Sequence, residues 1–132
     1  MRKACAVSLL MLLAISLGCG HPTQLVEMSL NPSSVTVIGL ASQGKVQFTA
    51  YGRFIHPNET RDITTQVTWT SSIPDVATVD NKGLVTTAGL ACGTTTITAT
   101  AGRDLQGVGS DTNIRTAIAT FTVEDPACPG ND

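Results

Sequence analysis

Beyond residue 24, polar and apolar positions alternate with a period of two over much of the chain, the spacing of strands that bury one face. Between Val67 and Ala101 the alternation resolves into four short runs. Val67, Trp69 and Ser71 fall on one side of the first, with Thr68 and Thr70 on the other. Ile73-Pro74-Asp75 then turns the chain into Val76 to Asp80, since proline fixes φ and aspartate suits a turn. Asp80-Asn81-Lys82-Gly83 turns it again, with Gly83 free to take positive φ, into Leu84 to Thr87. Gly93 opens the fourth run, in which Ile97, Ala99 and Ala101 face inward and Thr96, Thr98 and Thr100 outward. Trp69 is the only tryptophan and is expected to anchor the core.

The flanks carry the same period. Val26, Met28 and Leu30 alternate with Glu27 and Ser29, are interrupted at Asn31-Pro32, and are continued by Val35 to Leu40 as one split first strand. Val46, Phe48 and Ala50 oppose Gln47, Thr49 and Tyr51, and Ala117, Ala119, Phe121 and Val123 face in along Arg115 to Glu124. Two stretches read as long loops: 52–66, with Phe54, Ile55 and His56-Pro57-Asn58, and the glycine-rich 102–113. The pattern predicts an all-β sandwich of about seven strands with almost no helix.

Four blocks sharpen that expectation: Trp69-Thr70-Ser71-Ser72, Val76-Ala77-Thr78-Val79, Gly83-Leu84-Val85 and Gly93-Thr94-Thr95-Thr96-Ile97-Thr98-Ala99. In order and spacing they resemble the bacterial immunoglobulin-like group 2 family, with weaker similarity on both flanks over residues 25–124. The resemblance implies an immunoglobulin-like β-sandwich with Greek-key connections. It also implies a non-enzymatic part as spacer or interaction module, as in bacterial surface adhesins.

The N-terminus is expected to be a targeting segment rather than part of the fold. Arg2 and Lys3 precede a 14-residue apolar run, Ala4 to Leu17, short for a permanent membrane span. Ser16-Leu17-Gly18-Cys19 resembles a bacterial lipoprotein processing site, which implies a signal peptide over 1–18 and an acylated, palmitate-type anchor on Cys19. An ordinary secretory leader leaving a free Cys19 is the alternative. Residues 19–24 form a short tether, and 125–132 a C-terminal tail. Gly20 after the cysteine favours the outer membrane, by similarity to lipoproteins, with the domain facing periplasm or cell surface.

Composition narrows the partners. Only 14% of residues are charged, and twenty threonines give strands an outer face that is neutral yet wettable. Loss of Arg2 and Lys3 with the leader leaves six basic against ten acidic residues, a net charge of −4. That balance excludes a basic nucleic-acid footprint, and membrane attachment then depends on the lipid.

Catalytic and metal-binding arrangements were sought. His56 sits in a proline turn without partners for acid–base work, and Asp104, Asp111 and Asn113 match no compact calcium loop. Gly107 and Gly109 precede no lysine or helix start for phosphate, and Asn58-Glu59-Thr60 is read as a chance glycosylation triplet. No cofactor, metal or small-molecule substrate is expected. In the implied fold, the strands Gly93 to Ala101 and Arg115 to Glu124 are antiparallel neighbours, so Cys92 and Cys128 lie at one end. In an oxidising compartment they are expected to pair, with two unpaired thiols as the alternative. His21 and His56 are placed at the opposite end, away from both cysteines.

The leading functional expectation is a lipid-anchored interaction or adhesion module with an envelope or surface protein as partner. A structural envelope domain without a specific ligand is the runner-up. A carbohydrate-binding module ranks third, because only Tyr51 and Phe54 offer rings for stacking.

Overall fold

The computed structural model describes residues 20–39, 44–105 and 113–128, and no helix occurs among them. The leader, Cys19, and the loop positions Leu40 to Gln43, Gly107, Gly109 and Asp111 lie outside the described residues.

Ten strand segments build two layers. In one, β1 (Gln24–Asn31), β4 (Thr49–Ile55) and β5 (Glu59–Asp62) run in the order β1-β4-β5, and β3 (Lys45–Gln47), β8 (Leu84–Thr87) and β7 (Ala77–Val79) in the order β3-β8-β7. These two pieces are joined because β3 and β4 are one run of chain through Phe48, whose N–H donates to Gly83 O at 2.9 Å. The facing sheet has the order β2-β10-β9-β6, from β2 (Ser34–Ile38), β10 (Ile114–Glu124), β9 (Gly93–Gly102) and β6 (Thr68–Ser71).

Between the layers lie Leu25, Phe48, Phe54, Ile63, Trp69, Val85, Ile97, Phe121 and Val123, all buried. The predicted parity holds along β9 and β10: Ile97, Ala99, Ala101, Ala117, Ala119, Phe121 and Val123 face the core. Burying a side chain of this size contributes about 1.5–3 kcal/mol, which drives the layers together.

Three local readings need correction, and a fourth is made specific. A bulge between Leu25 and Glu27 shifts the register of β1, so Leu25 rather than Val26 enters the core. The displaced Val26 carbonyl accepts a hydrogen bond from Arg115 Nε at 3.1 Å. The first strand is split at Asn31-Pro32 as expected, and the structure adds its destination: the chain crosses at the cis Asn31-Pro32 bond and β2 pairs parallel with β10 in the other layer. The strand expected across Val46 to Tyr51 splits at Phe48, with β3 on β8 and β4 on β1 and β5. Finally, 52–66 is no long loop but mostly a hairpin, β4 and β5 around His56-Pro57-Asn58. Glycine at 52 lets β4 pack closely in this hairpin: a Cβ there would come within 2.7 Å of Leu25 Cδ1 and 2.8 Å of Ile63 Cδ1.

Candidate functional site

Three regions are distinguished by their chemistry: the two ends of the sandwich and the seam between β6 and β7.

At the end nearest Cys19, the tether is docked rather than loose. Thr23 Oγ1 donates to His56 O at 2.8 Å, Leu25 N–H donates to Arg103 O at 2.8 Å, and Arg103 bonds Gln24. The rings of His21 and His56 lie 5.0 Å apart, so the two histidines sit together at the turn between β4 and β5. Among the described residues no group of three or more histidine, cysteine, aspartate or glutamate side chains could hold a metal ion. Phe54, expected as a loop aromatic, is buried with the Arg61 guanidinium 4.1 Å from its ring centre. Tyr51 is half-buried on β4.

The opposite end carries the Cys92–Cys128 disulfide, with the Cα atoms 6.1 Å apart. Cys92 precedes β9 and Cys128 follows β10, and Gly93 pairs with Val123, so the bridge ties together two strands that are already neighbours.

The two seams of the sandwich are closed differently. On one side the chain itself crosses between layers from β1 to β2, and Arg115 reaches from β10 to β1. On the other side β6 and β7, edge strands of opposite layers, face each other and are joined in sequence by the 72–76 turn. Here the polar pins are Ser71 Oγ, donating to Ala77 O at 2.7 Å, and Trp69 Nε1, donating to Thr64 O at 2.9 Å. The fully buried Thr95 hydroxyl lies 2.9 Å from Ser71 Oγ and 3.2 Å from Ser72 Oγ, and accepts from Ile73 N–H at 2.9 Å. Ser72 Oγ accepts from Thr96 N–H. Gly83, at φ 76°, must be glycine because a Cβ would approach Phe48 O to 2.5 Å and Trp69 Cζ2 to 2.9 Å. Beside the pins remains a groove of about 270 Å³ lined by Trp69, Thr70, Ser71, Pro74, Thr78 and Val79.

Two carboxylates stabilise turns around this seam. Asp62 accepts from the hydroxyl and the N–H of Thr64, which hold its pKa below the usual carboxylate range. Asp80 is lowered likewise by the N–H groups of Leu84 and Lys82. Thr64 Oγ1 in turn accepts from the buried Ala50 N–H at 3.0 Å, so one threonine connects a surface turn, the core strand β4 and the indole. Sequence reasoning named Trp69 but missed Thr64 and Thr95, because nothing in a threonine-rich chain distinguishes a buried threonine except parity. Thr95 does fall on the inward parity of Ile97 and Ala99.

Residues 25–109 match the family model described as bacterial Ig-like domain (group 2). Comparison with curated proteins gives no match. Strand β10 lies beyond the matched residues, yet pairs with β9 from Ile114 to Val123 and supplies Phe121 to the core.

Proposed function

The chain belongs to the bacterial Ig-like (group 2) domain family, and from that premise we propose that it is a lipid-anchored, non-catalytic interaction module of the bacterial cell envelope. Immunoglobulin-like sandwiches of this family are interaction or structural modules. What supports the anchored reading is the docking of the tether: Thr23 on His56 and Leu25 on Arg103 fix the point where the chain arrives from Cys19 at one end of the sandwich. A lipid on Cys19 then holds the β4–β5 turn and the 102–105 turn toward the membrane and leaves the Cys92–Cys128 end pointing away. A partner meets the sides or the far end first.

Mass spectrometry of the mature protein from envelope fractions tests the anchor. A diacyl or triacyl mass on Cys19, with Cys19→Ala released from the membrane or retained as precursor, is the expected result. A mature form without acyl mass overturns it. Crosslinking in intact cells tests the module reading, for which a specific protein adduct is expected; its absence favours a structural domain without a ligand. That second reading draws on the hydroxyl-coated outer face of the β2-β10-β9-β6 sheet, where threonines pair laterally, Thr94 with Thr122 at 2.9 Å and Thr120 with Ser34 at 3.0 Å. Carbohydrate stacking is disfavoured by the burial of Phe54, which leaves Tyr51 alone of the two rings.

A further inference from the structure

The two layers turn different faces to solvent. On the β1-β4-β5 layer Glu27 is ion-paired with Arg53, and Glu59 with Arg61. On the β2-β10-β9-β6 sheet the outward positions alternate with the core residues: Thr94, Thr96, Thr98 and Thr100 along β9, and Ile114 through Ile118 to Glu124 along β10. None of the outward residues on its four strands is charged except Glu124, at the Cys92–Cys128 end. Of the five large apolar side chains exposed among the described residues, Ile38, Ile114 and Ile118 lie on this face. Ile118 is 66% exposed and stands mid-strand on β10, with Thr98 beside it on β9 and Thr70 next on β6.

Two properties allow this face to be covered. Hydroxyls already paired within it, Thr94 with Thr122 and Thr120 with Ser34, lose less when water leaves than free ones would, and threonine methyls add apolar area to the isoleucines. Its size also fits. Strands about 4.8 Å apart with about 3.3 Å per residue give on the order of 500 Å² in plan, and accessible surface exceeds plan area, so the face falls in the class of a standard interface at about 800 Å² per partner. Charge selects the occupant. At a net charge of −4 once the leader is removed, two copies of this chain repel over the rest of their surfaces and meet without that penalty only here. We infer that this face pairs with the same face of a second copy in a two-fold dimer, sheet packed on sheet about 10 Å apart. The anchored reading, on which only the axis rests, places both tethers at one end, so the two-fold runs along the strands. Strand β10 then lies across β9 of the second copy, and Ile118 packs on Thr98 of the second copy.

The test uses the full chain in its native envelope, co-expressed with two different tags and carrying a photo-crosslinking amino acid singly at Thr98, Thr94 or, on β5 of the other layer, Thr60. Adducts joining the two tags are expected from Thr98 and Thr94 and not from Thr60, with Thr94 mapping to the 120–124 stretch of the second copy. Ile118→Glu brings two carboxylates together at an already exposed position, and should lower the Thr98 self-adduct at least about tenfold. Ile118→Lys should do the same alone, whereas one tagged copy of each restores the adduct, which neither would do if it failed to fold. Adducts from Thr98 to a different protein, self-adducts equally strong from Thr60, indifference to Ile118→Glu, no restoration by the mixed pair, or no adduct would overturn the inference. So would mapping of Thr94 to the end where Gly102 pairs with Ile114, which fits tethers at opposite ends. The acyl mass on Cys19, read on the same preparations, decides the anchor separately, and an adduct to a different protein leaves the module reading standing.

Discussion

The covalent chain crosses both seams of this sandwich, yet the two differ in how much side chains add to the closure. Where β1 passes into β2 the covalent chain laces the layers together, and the side chains there have little to specify: Arg115 to Val26 O is a single bond on a bulge. Where β6 faces β7 the chain also crosses, through the 72–76 turn, but closure there draws in addition on Trp69, Ser71, Ser72 and Thr95 and on the space left by Gly83. The Trp-x-Ser-Ser block and the Gly-x-Val block by which the family is identified are thus largely the clasp of the β6–β7 seam. Both seams are crossed by the chain, but side-chain identity is concentrated at this one.

The largest expected break in this comparison is Trp69→Ala, which removes the indole beside the β6–β7 seam and its bond to Thr64 O; a loss of about 3–5 kcal/mol is expected in denaturant titration. That is a substantial part of the roughly 5–15 kcal/mol typical of a domain. Reducing Cys92–Cys128, or replacing both by serine, should cost about 3–4 kcal/mol by freeing the unfolded chain. Because the bridge spans neighbours within one sheet, that loss should weaken both seams equally. Thr95→Val leaves Ile73 N–H without its acceptor inside the clasp and should cost about 1–3 kcal/mol, whereas Arg115→Met at the laced seam should cost under about 1 kcal/mol. Equal costs at 95 and 115 would contradict the asymmetry.

Acidification gives a smaller effect. Asp62 and Asp80 have pKa values lowered in the folded state, so the stability they add is present above the ordinary aspartate range and is lost as pH falls through their lowered folded values. Stability should therefore be flat from neutral pH down to that range and decline below it, with Asp62→Asn and Asp80→Asn flattening the decline. Both groups are exposed, so the change is modest.

Much of this was legible beforehand, and the exceptions have physical causes. The four blocks from Val67 to Ala101, the inward parity of β9 and β10, and the shared end of Cys92 and Cys128 follow from period and strand adjacency. The β4–β5 hairpin did not, because Glu59-Thr60-Arg61-Asp62 has no apolar alternation and lies against β4 as a polar edge. A bulge leaves no mark in composition, so the parity of Leu25 and Val26 was reversed. Nor does a hydrophobic pattern say which sheet a strand joins: the split after Asn31 was visible, the pairing of β2 with β10 was not. Of the candidate site, Trp69 was visible by its rarity, while the edge of β6 is a property of topology that no single residue announces.

Native-state hydrogen exchange on Ser71→Ala tests the clasp most directly. Loss of the bond to Ala77 O should raise exchange of the amides in β7 and the 72–76 turn by about tenfold, while β1, β2 and β10 keep their protection. A uniform rise across all strands, or no rise at β7, would contradict the claim that this seam is held by its side chains.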